Sequence, residues 1–496
     1  MNRKQILTLL LAMLLLTSCG SSIAEETKAN TDTTGITETE TETEPIEYVS
    51  PGVDYDGATV TVAAIDYTIS GGGVWSASSY CEAYSDSTGE VLHDAIFERN
   101  AAVMEDLNIK LETYSLSSFA NAPGEFKQPV MAGEQLIDYC LMNGSGLSGI
   151  LTSGLLHTLG DVPTLDTSHS WWDERSVKEF TLGDTLYTVT GDISLNTSFA
   201  PITYFFNKKL VEDHSLEEPY TLVQEGKWTI DKLQEMVCTV AQDTNGNGEI
   251  DIEEDTFGIC WESNSMTYAV HSADVTLTGK DADGYPIIAV DKERAASTVE
   301  KIQSFMTDAN VSMLSDKITG YNNTFFDLFL PALQEGRSLF FNNQLLVAMD
   351  LREMDTDFGI LPSPKFDEAQ ENYCSPVSYW WATFVIVPVT NDQLERTGHV
   401  LDAAGYYSQA LVTPAYIEKS IQGKTFRDEE STAMLELILD SRVYEIAAIY
   451  DWGGINTMYT TLAKDNTKQF TSLYASKETG ANTALQKTID AIKELP

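Results

Sequence analysis

Thr59-Val60-Thr61-Val62-Ala63 alternates polar and apolar side chains, Leu92, Ile96, Val103 and Leu107 follow at helical spacing, and residues 109–114 alternate again. A strand sends successive side chains to opposite faces, whereas a helix repeats every 3.6 residues, so these segments read strand, helix, strand. Residues 137–143 read as a third strand and residues 150–159 as another helix, after a body that opens on the turn Tyr55-Asp56-Gly57. Strands interleaved with helices predict an α/β fold whose sheet is mostly parallel. Ligands of such sheets lie beyond the carboxyl ends of the strands, which makes Asn143-Gly144-Ser145-Gly146 a candidate ligand loop.

The pattern restarts at Ile202-Thr203-Tyr204-Phe205-Phe206, a strand, followed by the helix face Ile230, Leu233, Met236, Val237 and Val240 and the strand Phe257-Gly258-Ile259. A helix near residues 325–333, strands at 338–341 and 357–361, and a buried strand at 381–387 come next. From Leu394 the chain reads as mostly helical. No repeat with a period of 20–50 residues is visible.

Five short segments resemble one family. They are Gly183-Asp184-Thr185-Leu186-Tyr187, Thr203-Tyr204-Phe205-Phe206-Asn207-Lys208-Lys209-Leu210, Glu225-Gly226-Lys227-Trp228-Thr229, Glu335-Gly336-Arg337-Ser338-Leu339-Phe340 and Asp357-Phe358-Gly359-Ile360-Leu361-Pro362-Ser363-Pro364. In this order and spacing they resemble the extracellular solute-binding proteins of carbohydrate-type ABC importers, from Asp54 to about Asp451. The resemblance implies a two-lobed, type II periplasmic-binding-protein-like fold, each lobe a mostly parallel sheet flanked by helices, joined by a hinge that the chain crosses near 202–206 and 375–385. Lobe one would take residues 54–202 with about 380–445, and lobe two 203–379 with helices about 446–496. It also implies capture of a small solute, a sugar or oligosaccharide, delivery to ABC permease subunits, and no enzymatic step.

The first residues are of a different kind. Asn2-Arg3-Lys4, an apolar run over 6–16 and Leu16-Thr17-Ser18-Cys19 read as a secretory signal. The run is too short to span a bilayer, which takes about 20 residues. The cysteine resembles the bacterial lipoprotein box, which implies lipidation of Cys19 and an extracytoplasmic, membrane-anchored protein. Residues 20–53, with Thr37-Glu38-Thr39-Glu40-Thr41-Glu42-Thr43-Glu44, are too polar and too uniformly charged to fold, and read as an extended tether.

With 75 acidic against 30 basic residues, the net charge of −45 argues against nucleic acid and anionic membrane surfaces as partners. Besides Cys19, five widely spaced cysteines form no disulfide framework. The six histidines show no zinc spacing. One metal signature does occur. Asp243, Asn245, Asn247, Glu249, Asp251 and Glu254 fall at positions 1, 3, 5, 7, 9 and 12 of an EF-hand loop, with Gly248 at the sharp turn and Glu249 offering its carbonyl. The helix before it has no partner helix after it, so the expectation is a structural Ca2+ clamp.

Sugar rings present apolar C–H faces on which flat aromatics stack at little entropic cost. Trp75, Trp172, Trp261, Trp380 and Trp381 are therefore candidate ligand residues, and Asn143, Asp192 and Asn342 candidate partners for hydroxyls. Trp380 and Trp381 stand beside the expected hinge. No nucleophile elbow, His-Glu-x-x-His or phosphate loop points to catalysis. A surface glycan-adhesion or scaffold module, or a binding protein for peptides or another non-sugar solute, is the alternative.

Overall fold

The computed structural model describes residues 48–65, 87, 89, 91–248, 250–351, 357–422 and 429–495. Cys19, nearly all of the tether, Trp75, Cys81 and Glu249 lie outside the described residues.

Among the described residues, nine strands build the two larger sheets. In chain order they are β1 (Ala58–Ile65), β2 (Ile109–Leu116), β3 (Tyr139–Asn143), β4 (Ile202–Asn207), β5 (Phe257–Trp261), β6 (Ser312–Leu314), β7 (Ser338–Gln344), β8 (Phe358–Pro362) and β9 (Thr383–Ile386). The first sheet has the order β9-β3-β1-β2 and the second β6-β5-β7-β4-β8. Strand β1 runs parallel to β2 and β3, and β5 parallel to β6 and β7. The sheets are mostly parallel, as the sequence predicts; one strand in each runs against the rest, β9 antiparallel to β3, and β4 antiparallel to both β7 and β8. The reason is connectivity. β4 and β9 are the first strands the chain forms after it crosses from one sheet to the other.

Those two joining segments lie side by side. Val189 bridges Val385, Pro201 bridges Val377, and the Ser378 N–H donates to the Ala200 carbonyl at 3.0 Å. Each sheet carries helices because its residues demand cover. Helix α1 (Val91–Leu107) buries Leu92, Ile96, Val103 and Leu107, the stripe legible in the sequence. Helix α2 (Glu174–Phe180) is capped by Asp173, and α3 (Ile230–Val240) by Thr229, whose side chain accepts from the Lys232 N–H. The α3 stripe Ile230, Leu233, Met236, Val237 and Val240 is fully buried, each side chain contributing about 1.5–3 kcal/mol of transfer energy. Val237 packs so tightly on β5 that a Cβ at Gly258 would meet it at 2.3 Å. Helices α4 (Ser265–Ser272), α5 (Lys292–Met306), α6 (Leu394–Tyr407) and α7 (Phe470–Lys493) complete the layers used below.

Two π-turns, Phe325–Phe329 and Ser408–Val412, each end two residues before a proline, Pro331 and Pro414. Proline has no N–H to continue the ladder, so the helix widens ahead of it. The helix expected over residues 150–159 is not formed. A four-residue helix, Ser148–Leu151, gives way to a turn that ends at Gly154 in the left-handed region (φ +69°), and Leu156 instead bridges Pro388. Among the described residues no helix is long and apolar enough to cross a membrane. The four described cysteines 140, 238, 260 and 374 are free.

Candidate binding cavity

The carboxyl ends of β3, β5 and β7 open onto one cavity of about 430 Å³. Ser145 comes from the loop after β3, Glu262 and Asn264 follow β5, and Asn343 and Gln344 end β7. Helix α4 presents Thr267, Tyr268 and His271. The returning joining segment supplies Pro376 to Trp381, and a C-terminal stretch adds Val443, Glu445, Ala448 and Asn456. None of these described lining residues is lysine or arginine.

One wall is aromatic. Trp380 is 55% exposed whereas Trp381 is 6% exposed, and both stand in a turn closed by the Trp381 and Ala382 N–H groups, which donate to the Ser378 carbonyl at 3.1 and 2.9 Å. Phe119 lies behind both, with ring centroids 5.7 Å from Trp380 and 5.5 Å from Trp381. Much of the remaining lining is polar. Tyr268 Oη and Gln344 Nε2 both donate to Ser378 Oγ, at 3.3 and 3.4 Å. Burial raises the Glu262 carboxyl above its ordinary range, and nearby Asp316 adds to this against a hydrogen bond from Asn264.

Glu445 braces the cavity from behind. It accepts from the Leu277 N–H (2.7 Å), Thr278 Oγ1 (2.6 Å) and the Ala447 N–H (3.0 Å), and its own N–H donates to the Tyr379 hydroxyl. Glu179 of α2 accepts from the Ile446 N–H at 2.8 Å. Burial, and then the charge of Glu445, push the Glu179 carboxyl up to about 7 from 4.5. Between these two values the folded state holds the extra proton, so this stabilisation is full below the lower one and is lost as pH rises through the higher. Glu179→Gln is expected to flatten that decline, adding about 1–2 kcal/mol near pH 8 and almost nothing near pH 5. Urea unfolding across this range checks it, and parallel pH profiles for the two proteins contradict it.

The sequence-derived candidates divide. Trp380 and Trp381 line the cavity. Asn143, Trp172, Asp192, Trp261 and Asn342 do not. The Asn143 amide is buried and donates to Ser145 Oγ, and Trp172 is buried beside Gly191. Asp192 accepts from Gln409 Nε2 (3.0 Å) and Thr413 Oγ1 (3.4 Å), and burial raises its carboxyl. Trp261 is fully buried against Phe305, and Asn342 is buried on β7 while its neighbours Asn343 and Gln344 reach the cavity. Glu262, Tyr268, His271 and Asn456 were not among the candidates. His271 is a single histidine with no metal spacing, and Asn456 is far away in the chain; neither gives a local signal.

The EF-hand-like loop is an exposed turn clamped at its ends. Gln242 bridges Thr256, and Asp255 accepts from the N–H groups of Thr244 (2.8 Å) and Asp251 (2.9 Å). Asp243 accepts from the N–H groups of Gly246 (2.6 Å) and Gly248 (2.7 Å), Asn245 donates to Glu254 (2.9 Å), and Asp251 accepts from the Glu254 N–H (2.7 Å). Asn247 and Glu254 are exposed on the same turn. Among the described residues no three acidic, histidine or cysteine side chains converge as a metal cage. The donor set is nevertheless all oxygen, as a hard divalent cation requires.

No family model matches the chain, and no curated protein matches it. Solved structures do. The cyclic alpha-maltosyl-1,6-maltose binding protein from Arthrobacter globiformis aligns over 87% of this chain and 100% of its own at 11% identity, with a TM-score of 0.59. UgpB from Mycobacterium tuberculosis, in complex with glycerophosphocholine, aligns over 79% and 95% at 12% identity and 0.56. The ABC substrate-binding protein Lmo0181 from Listeria monocytogenes, in complex with cycloalternan, aligns over 88% and 99% at 11% identity and 0.52. At these identities the likeness concerns the backbone, and it extends over nearly the full length of each of these proteins. The chain has the two-lobed α/β fold of ABC-transporter solute-binding proteins.

Proposed function

We propose that the protein captures a neutral sugar or oligosaccharide between its lobes and hands it, unaltered, to an ABC permease, while a lipid at Cys19 holds it at the extracytoplasmic face of the membrane. The observation that carries this reading is a half-exposed tryptophan in a cavity whose other lining is largely polar and lacks cationic side chains among its described residues. An indole suits an apolar sugar face, and amide, hydroxyl and carboxyl groups suit hydroxyls. The cavity is large enough for one or two sugar rings, and closure of the lobes would complete the enclosure. Two of the similar proteins were solved with, or are named for, cyclic glucose oligosaccharides, which supports the same class of solute.

We further propose that the loop 243–254 binds Ca2+ through Asp243, Asn245, Asn247, the Glu249 carbonyl, Asp251 and Glu254, pinning the link between α3 and β5. A thermal-shift screen of neutral mono- and oligosaccharides, with Ca2+ and with chelator, tests both readings. A sugar at 100 times its dissociation constant adds about 2.7 kcal/mol, a rise of several degrees in Tm. Chelation should lower Tm, and Asp243→Ala should abolish that difference. Stabilisation by peptides or anionic solutes alone overturns the first reading, and identical melting with and without Ca2+ overturns the second.

A further inference from the structure

His271 is 95% buried and lines the cavity, yet its Nε2 has no hydrogen-bond partner among the described residues. Its other ring nitrogen, Nδ1, stands 2.9 Å from the Val275 carbonyl. A carbonyl only accepts, so Nδ1 carries a proton, and in the neutral form of the ring this tautomer makes Nε2 a bare acceptor. Asn456, on a separate segment, lines the same cavity with a buried Oδ1 that also lacks a partner. Buried polar groups are almost always satisfied, and two unpaired acceptors on residues lining one cavity call for donors from the occupant.

We propose that His271 is a specificity-determining residue: its Nε2, held in one tautomer by Val275, accepts a hydrogen bond from a solute hydroxyl, with Asn456 accepting from a second. The inference rests on the sugar-capture reading and narrows it. The solute must present hydroxyl donors at this wall, and a carboxylate or phosphate, which brings only acceptors, is rejected there.

Two substitutions separate reading from folding. In His271→Asn the amide keeps a donor for Val275 but cannot reach the Nε2 position, whereas Gln places an acceptor there. Calorimetric titration with maltotetraose and raffinose is expected to show affinity at least tenfold weaker in His271→Asn at unchanged Tm, and partly recovered in His271→Gln. Wild-type affinity in His271→Asn overturns the proposal. Long-range 15N NMR of the sugar-free protein is the second arm. It should show His271 protonated at Nδ1 and bare at Nε2; a proton on Nε2 overturns the proposal whether or not a sugar binds. If neither probe binds the wild type, sugar capture is what fails, and the NMR arm alone decides the role of His271.

Discussion

Trp380→Ala should weaken solute binding roughly 30-fold, about 2 kcal/mol, while leaving the unfolding free energy almost unchanged. The asymmetry follows from exposure. At 55% exposed, the Trp380 ring has little to lose from the core, whereas a sugar stacked on it would bury the outer face. Trp381 behaves oppositely. It is 6% exposed, packed edge-on against Phe119, and its truncation should cost about 3–5 kcal/mol of stability before any effect on binding can be read. Calorimetric titration beside urea unfolding separates the two. A Trp380→Ala protein that binds as tightly as wild type removes the aromatic wall from the site.

Asp173→Ala is expected to destabilise the protein by about 3 kcal/mol. Its carboxylate is 1% exposed and holds Arg175 in a fork, Nε at 2.8 Å and Nη2 at 3.0 Å. Arg442 Nε stands 3.2 Å away and the Tyr444 hydroxyl donates at 3.0 Å. Burial works to raise the Asp173 carboxyl, but the Arg175 hydrogen bond, both guanidinium charges and Tyr444 outweigh it and hold it below the usual carboxylate range. A carboxylate lowered in this way stabilises the fold above its unfolded pKa, and the contribution fades as the pH falls through the folded value. Removing the carboxylate strands Arg442, whose side chain is 14% exposed. The damage reaches the cavity, because Arg442 and Val443 pair with Ser375 and Pro376, and both Val443 and Pro376 line it. Asp173→Asn keeps the shape and should cost less. Unfolding of Asp173→Ala at wild-type denaturant concentrations would show the cluster to be dispensable.

Much of the fold was legible because it is local. The β1 alternation, the α1 and α3 stripes and the strands at β4, β5 and β7 are short-range patterns, and each occurs where its periodicity places it. The reversal of one strand in each sheet was not legible. It depends on how β4 and β9 are entered from the joining segments, and side-chain periodicity carries no such information. The 150–159 helix failed for a local reason, the left-handed Gly154, which apolar spacing outvoted.

The site was legible only where position in the chain coincided with position in the fold. Trp380 and Trp381 stand on the returning joining segment, and the sequence places that segment next to the cleft. The sequence singled out Asn342, yet its neighbours Asn343 and Gln344, not Asn342, reach the cavity. The wall formed by His271, Glu445 and Asn456 assembles α4 with residues more than 170 positions later in the chain, through contacts that no local pattern encodes.

Native mass spectrometry of the protein mixed with a pool of neutral oligosaccharides, maltotetraose and raffinose among them, decides whether the cavity holds an intact sugar. One adduct per chain, of unchanged sugar mass and missing from Trp380→Ala, is the predicted spectrum. No adduct, or a sugar shortened or oxidised during incubation, would contradict capture and delivery.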